Sequence, residues 1–256
     1  WESNSGRQLN SINNGLIGCN GIIFNNEGKQ IIAAINNVIK IFNVSDFKVT
    51  SLFSGHTNWI LSLAFLSSQG LIASGGKDNT VRVWELKSGK LVYSLKEHEN
   101  DVNCLSFSPD GNYMISGSQD KTIRLWNTKG KIIYSLRGHL AGVSSVAFSP
   151  DSHNIISGGK DFSIRMWEVS SGRMISTLIG HSAMVSSLAF SSDNNLILSG
   201  SHDSTIKVWD AKTFRNIQTF TTNAPIIHCQ FGNSDEVWAC DNQSMIYKFK
   251  IIKIAT

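Results

Sequence analysis

The sequence lacks the cysteine spacings that zinc sites and disulfide frameworks require. Its four cysteines, Cys19, Cys104, Cys229 and Cys240, are scattered along the chain and form no C-x-x-C pair. Cysteine is among the residue types most often found buried, so we expect four free, buried thiols. This usage indicates an intracellular protein, and we place it in the cytoplasm.

Charged residues and long apolar runs are also scarce. Only 16% of the 256 residues are charged and 41% are hydrophobic, against about 25% charged in typical proteins, which predicts a globular chain with much buried sheet surface. The apolar runs, such as residues 31–35, are far shorter than the roughly 20 residues of a membrane-spanning helix, so we predict no membrane insertion. The net charge of +4 includes no block of like charges, which gives no strong nucleic-acid signal.

What the sequence does contain is a repeat of 41 or 42 residues, and such a period decides the architecture. Four histidines recur at intervals of 42, 41 and 42 residues, and each is followed 22 residues later by an aspartate and 28 residues later by a tryptophan. A serine lies four residues before each aspartate. The sets are His56, Ser74, Asp78 and Trp84; His98, Ser116, Asp120 and Trp126; His139, Ser157, Asp161 and Trp167; and His181, Ser199, Asp203 and Trp209.

Each unit has the pattern of short strands divided by turns. In one of them, residues 102–107 form a strand, and Ser-Pro-Asp-Gly at 108–111 is a turn in which proline presets φ and glycine accepts the left-handed region. Residues 113–116, 122–126 and 132–136 are three further strands, and the one at 122–126 has β-branched and aromatic residues. The chain shows no helical periodicity, so we predict an all-β fold.

Gly138-His139, Ser-Pro-Asp-Gly and the run Ser-Gly-Ser-Gln-Asp-Lys-Thr-Ile-Arg-Leu-Trp at residues 116–126 resemble the WD-repeat (WD40) family. Only Trp209-Asp210 keeps the dipeptide that names the family. The resemblance implies a WD40-type β-propeller of four-stranded antiparallel blades. It also implies that each His, Ser, Asp and Trp set forms a hydrogen-bonded structural tetrad within its blade.

We interpret the whole chain, residues 1–256, as a single propeller domain with six visible repeat units. Their approximate bounds are 1–42, 43–84, 85–126, 127–167, 168–209 and 210–256, and the first and last lack the tetrad set. The chain starts in mid-repeat with Trp1, so we expect a fragment of a longer protein. We predict that an outer strand near residues 7–12 completes the last blade. A six-bladed ring and a seven-bladed parent protein are both open.

The recurrence of His, Ser and Asp also suggests a hydrolase, because these residue types make a catalytic triad. A catalytic site needs one such set in one cleft, whereas this set occurs four times at the same offsets. The other histidines, His153, His202 and His228, have no companion at metal-ligand spacing, and the chain has no G-x-x-x-x-G-K-S/T loop. We predict no catalytic residues, no cofactor and no metal.

Positions outside the repeated frame are the candidates for function. The resemblance implies that the loop after each His and the residue before each turn Asp reach the top face of the propeller. From these positions we predict a partner-binding site made of Thr57, Trp59, Lys77, Asp101, Gln119, Leu140, Lys160, Met184 and His202.

Trp59 and Met184 are large apolar groups where the fold demands none, and large aromatics often dominate binding energy. We therefore predict a non-catalytic scaffold or sensor domain that binds partner proteins or peptides, within a multidomain protein or complex. Two alternatives remain. One is a phosphopeptide or anion receptor that uses Lys77, Lys160 and His202, and the other is a propeller enzyme with catalytic groups at the channel mouth.

Overall fold

The chain is built from antiparallel strands, as expected from its period-two patterning and its regularly spaced turns. The computed structural model describes residues 18–233 and 235–252. Within that part of the chain there are six sheets and no helix. The same residues therefore contain no helix of the length and apolarity needed to cross a bilayer.

The strands follow one another in chain order within every sheet. The first sheet contains β1 (Cys19–Phe24), β2 (Gln30–Ile35), β3 (Val38–Asn43) and β4 (Val49–Ser54). The second contains β5 (Ile60–Leu66), β6 (Leu71–Gly76), β7 (Val81–Glu85) and β8 (Leu91–Leu95). The third contains β9 (Val102–Phe107), β10 (Tyr113–Ser118), β11 (Thr122–Asn127) and β12 (Ile132–Arg137).

The last three sheets continue the pattern. The fourth contains β13 (Val143–Phe148), β14 (Asn154–Gly159), β15 (Ile164–Glu168) and β16 (Met174–Leu178). The fifth contains β17 (Val185–Phe190), β18 (Leu196–Ser201), β19 (Thr205–Asp210) and β20 (Asn216–Thr221). The sixth contains β21 (Ile226–Phe231), β22 (Glu236–Asp241) and β23 (Ile246–Lys250).

Successive sheets pack side by side, as propeller blades do. The first strand of each sheet lies beside the first strand of the next, from β1 beside β5 to β17 beside β21. Apolar clusters fill the space between neighbouring sheets; in the one between the fourth and fifth, Met166 and Leu178 pack with Val185 and Trp209. The predicted WD40-type β-propeller fold is confirmed.

The strands predicted from the sequence lie within one or two residues of the observed ones. The second strand of the third sheet runs two residues further than expected, because Gly117 and Ser118 continue the pairing with β9. The fourth strand of each four-stranded sheet comes from the following repeat unit, as β8 does when it pairs with β7. The sixth sheet has three strands in the described residues, and the predicted strand at residues 7–12 lies outside them.

The cysteines differ in exposure. Cys104 and Cys229 are buried, which raises the pKa of both thiols to about 12 and keeps them protonated at neutral pH. Cys240 is partly buried and Cys19 is exposed. The expectation of buried thiols is therefore wrong for Cys19, which lies at the start of β1, the innermost strand of the first sheet.

Candidate functional site

The repeated His, Ser, Asp and Trp residues form the same hydrogen-bonded chain in the second, third, fourth and fifth sheets. In the fourth sheet, Trp167 Nε1 donates to Ser157 Oγ at 2.9 Å, and the serine Oγ lies 2.8 Å from His139 Nε2. His139 Nδ1 lies 3.0 Å from both carboxylate oxygens of Asp161. The other three chains have the same partners, at 2.7–2.9 Å.

Electrostatics favour a neutral imidazole beside an ionised carboxylate. Burial lowers the pKa of His139 more than the nearby Asp161 charge raises it, and the pKa values of His56 and His181 are lowered by burial in the same way. Burial alone raises the pKa of Asp161, but the Leu140 backbone N–H, the His139 ring and the Ser163 hydroxyl together hold it below its ordinary value. With its proton on Nδ1, the neutral histidine donates to the aspartate and accepts from the serine.

Each of these aspartates has a further partner that sequence reasoning missed. The residue two positions after the aspartate carries a hydroxyl in all four units, and that hydroxyl donates to the carboxylate at 2.6–2.8 Å. These residues are Thr80, Thr122, Ser163 and Thr205. The signal was present in the sequence, since a hydroxyl residue recurs at this offset, and a buried carboxylate needs several donors.

This arrangement is unsuited to nucleophilic catalysis. The four serines are fully buried, and each already accepts a hydrogen bond from its tryptophan. A nucleophile must reach a substrate, which these hydroxyls cannot do in the folded state. In residues 18–233 and 235–252, no group of three or more His, Cys, Asp or Glu side chains could hold a metal ion.

Steric contacts explain why a glycine precedes three of the four histidines. A Cβ on Gly55 would lie 2.8 Å from Arg82 Nη1 and 2.9 Å from the Trp84 ring, and one on Gly138 would lie 3.1 Å from the Trp167 ring. The guanidinium of Arg82 therefore lies close to the tryptophan of its own sheet. A basic residue recurs two positions before each of the four tryptophans, as Arg82, Arg124, Arg165 and Lys207, and the contact at Arg82 is consistent with a packing role for that position.

The predicted partner-binding residues lie on one face, which we call the top face. It consists of the loops that precede the first strands, residues 55–59, 97–101, 138–142 and 180–184, and the turns between second and third strands, residues 77–79, 119–121, 160–162 and 202–204. One backbone hydrogen bond of 2.8–2.9 Å joins loop to turn in each unit: Lys77 to Trp59, Gln119 to Asp101, Lys160 to Gly142 and His202 to Met184, donors first.

Two of the predicted residues form a close pair on the second sheet. Trp59 has 44% of its surface exposed, and the Lys77 ammonium lies 5.0 Å from the centre of its ring. This is the geometry of a cation–π contact. The loop position that Trp59 occupies holds Asp101, Gly142 and Met184 in the next three units, so the fold itself does not call for an aromatic residue there.

The other predicted residues are spread over the face. Lys160 Nζ donates to Gln119 Oε1 at 2.7 Å and so links the third and fourth sheets. Met184 is half-buried and His202 is exposed, both in the fifth sheet's unit. The structure therefore brings Trp59 together with Lys77 and Gln119 together with Lys160. Thr57, Asp101 and Leu140 complete the predicted set, with Thr57 and Leu140 exposed and Asp101 half-buried.

Two exposed apolar residues, one on the top face and one beside it, were missed by the sequence reasoning. Phe162 lies in the turn after Asp161, and Ile179 lies just after β16. A comparison of the residue after each turn aspartate would have found the first, because the other units have Asn79, Lys121 and Ser204 there.

The comparison with protein families agrees with this architecture. The family model described as WD domain, G-beta repeat matches residues 47–85, 89–127, 130–168 and 172–210, together more than half of the chain. A comparison with curated proteins gave no match. Repeats of this family generally mediate protein–protein interactions as scaffolds and are generally non-catalytic. The matched span includes the four hydrogen-bonded sets, and the chain belongs to the WD40 repeat family.

Proposed function

We propose that this protein is a non-catalytic scaffold that binds a partner protein or peptide on its top face. The observation that carries the proposal is the exposed Trp59 ring beneath the Lys77 ammonium. Binding residues commonly lie on loops that a rigid framework positions, and the propeller sheets are such a framework. Positions at which the four complete units carry the same residue are required by the fold. At the loop tips the units carry different residues, so the fold does not fix the residue type there and these positions can contribute to binding.

The chemistry of the pair suggests the kind of partner. An exposed indole provides a large apolar surface with little conformational freedom to lose, and tryptophan is enriched among residues that dominate binding energy. The adjacent ammonium favours a negatively charged neighbour. A peptide with an apolar anchor and an acidic flank fits both features.

The test compares Trp59→Ala with Lys212→Ala. Lys212 is exposed and lies in the turn between β19 and β20, and its backbone N–H, which the substitution keeps, makes the hydrogen bond to Asp210. Both variants are first shown to melt like the parent protein. Partners are then captured on each, cross-linked, and the cross-links mapped to residues of this chain.

We expect the Trp59 variant to lose partner capture by a factor that corresponds to about 2 kcal/mol or more. The Lys212 variant should capture as the parent does, with cross-links close to residues 55–59. Normal capture by the Trp59 variant together with loss in the Lys212 variant would place the working surface elsewhere. Binding that weakens steeply with salt and depends on Lys77, Lys160 and His202 would favour the anion receptor instead.

A further inference from the structure

Three exposed apolar side chains lie on the top edge of the fourth sheet. Leu140 is 77% exposed, Phe162 is 45% exposed and Ile179 is 79% exposed. We call these three residues the fourth-sheet patch. They belong to three different segments of the chain, because Leu140 precedes β13, Phe162 lies between β14 and β15, and Ile179 follows β16.

The backbone brings these segments together. The Leu140 N–H donates to Asp161 Oδ2 at 2.8 Å, and Phe162 is the next residue after Asp161. At the other side of the turn, Ile164 pairs with Leu178, so Ile179 leaves β16 beside the turn that carries Phe162. The patch is therefore one continuous edge and not three scattered residues.

The equivalent positions of the other sheets are polar. Leu140 corresponds to Thr57, Glu99 and Ser182; Phe162 corresponds to Asn79, Lys121 and Ser204; and Ile179 corresponds to Ser54, Lys96 and Arg137. The framework is the same in each case, so it does not require apolar residues there. Replacement at all three positions of a single sheet indicates that this edge has a separate role.

The backbone at Phe162 supports a role in binding. Its φ is 68°, in the left-handed region that a bulky side chain seldom adopts, while the equivalent Asn79, Lys121 and Ser204 have φ of 63°, 73° and 63°. Phe47 and Phe214 also have positive φ, but both pack against a buried apolar cluster. Phe162 has the unfavourable backbone without comparable burial, and residues strained in this way concentrate at functional sites.

Three cations lie near the patch, and the loop of the third sheet also carries the carboxylates Glu99 and Asp101. Lys160 precedes Asp161, and its ammonium donates to the neutral Gln119. Arg137 ends β12 three residues before Leu140, and it pairs with Thr122, the residue after Lys121. Among the described residues, none of these three cations forms an ion pair with a carboxylate. The carboxylate at the patch, Asp161, is already engaged by His139, Ser163 and the Leu140 N–H.

We propose that the fourth-sheet patch is a docking site for a segment of a partner protein in which apolar side chains are flanked by carboxylates. The apolar side chains cover Leu140, Phe162 and Ile179, and the carboxylates meet Lys121, Arg137 and Lys160. The inference rests on the proposed function because both place binding on the top face. It differs in location, since Trp59 and Lys77 lie on the second sheet.

The test uses fluorescent synthetic peptides that carry pairs of Leu or Phe at varied spacing between glutamates. Matched peptides replace either the glutamates by lysine or the apolar residues by serine. Binding is measured by fluorescence anisotropy to the parent protein and to Leu140→Thr, Phe162→Asn and Ile179→Ser. Each substitution introduces the residue that an earlier repeat unit has at the equivalent position, namely Thr57, Asn79 and Ser54, so the fold should tolerate it.

The control variant is Ile175→Thr, and Trp59→Ala reports separately on the site of the second sheet. Ile175 lies on β16 of the same sheet and is 46% exposed, so its replacement removes a similar apolar surface away from the top face. We expect acidic, apolar peptides to bind the parent protein, and Phe162→Asn to weaken that binding about tenfold or more. Ile175→Thr should bind as the parent does, and lysine- or serine-substituted peptides should not bind.

Phe162→Asn should also melt at or above the temperature of the parent, because asparagine tolerates the left-handed region. Equal peptide affinity for the parent and Phe162→Asn would overturn the inference, as would a panel in which no acidic peptide binds. Loss of binding only in Trp59→Ala would overturn it while leaving the proposed function intact. A Phe162-dependent dimer in sedimentation, without peptide binding, would overturn it in favour of a second copy of this chain.

Discussion

The four inner sheets and the two terminal sheets share a framework but differ in how their surfaces are covered. In the fifth sheet, Ile206 is fully buried against the sixth. Ile246, which occupies the equivalent position of the third strand in the sixth sheet, is 72% exposed. At the other end, Ile22 and Phe24 of β1 are each 59% exposed, while their counterparts in β5, Leu63 and Phe65, pack against a neighbouring sheet.

The same division separates sheets with the hydrogen-bonded set from sheets without it. In the first sheet, Asn37 Nδ2 donates to the His56 carbonyl of the second sheet's unit. In the sixth, Lys248 lies 5.1 Å from the Trp238 ring and pairs with Glu236 at 2.7 Å. In a repeat architecture each unit relies on its neighbours, so sheets covered on both sides should carry more of the stability.

The largest expected difference in stability is between replacing a tryptophan of an inner sheet and replacing the equivalent aromatic residue of a terminal sheet. Trp126 is fully buried. Phe249, at the equivalent position of β23, is partly buried. We predict that Trp126→Ala lowers the free energy of unfolding by about 3–5 kcal/mol, and Phe249→Ala by clearly less. Urea denaturation followed by far-UV circular dichroism measures both, and equal losses would contradict the division.

The next effect tests the hydrogen-bonded sets through Asp161→Ala and Asp151→Ala. Removal of Asp161 leaves the buried His139 and Ser163 donors without their acceptor, which costs about 1–3 kcal/mol. Asp151 accepts hydrogen bonds from Ser149, His153 and Asn194 at an exposed turn, where water replaces them. Calorimetry should show a much larger fall in melting temperature for Asp161→Ala. Equal shifts would count against a structural role for the tetrads.

Much of this fold could be predicted from the sequence because a buried framework repeats the same physical requirements. The register of His, Ser, Asp and Trp predicted four strands and their turns, and Val102–Phe107 is the observed β9. The hydroxyl partner Thr122 was missed because the residue lies inside a predicted strand. Surface exposure was less predictable, since Phe162 and Ile179 differ from their counterparts only at loop tips, where side chains do not constrain one another.

A smaller effect is expected from acidification. The pKa values of His56, His139 and His181 are lowered in the folded state by burial, so the unfolded chain binds protons first as the pH falls below about 6.5. Stability is therefore lost below that pH. Stability falls further below about pH 3.8. The pKa values of Asp78, Asp161 and Asp203 are lowered in the folded state, so the unfolded chain takes up protons at these carboxylates first.

The measurement is the melting temperature between neutral pH and about pH 5, for the parent protein and for His139→Gln. The variant should be less stable at neutral pH and should lose less on acidification, because one of the buried titrating rings is gone. A melting temperature that rises as the pH falls would show that the histidines are not held neutral in the fold.

The smallest effect concerns the terminal sheets. Residues 7–12 lie outside the described residues, and their pairing with β23 remains a prediction based on the cost of unpaired sheet edges. If it holds, deletion of residues 1–17 should speed hydrogen exchange in β23 and leave β7 to β19 unchanged. Unchanged exchange in β23 would show that this segment does not complete the sixth sheet.

The central claim is that the repeated residues serve the fold while Trp59 serves binding, and the free energy of unfolding of Trp59→Ala tests it most directly. If the ring is present for a partner, its removal should change stability by about 1 kcal/mol or less, as expected for an exposed residue with one cation contact. A loss of about 3 kcal/mol or more, as for a core aromatic residue, would show that Trp59 belongs to the framework and would contradict the account.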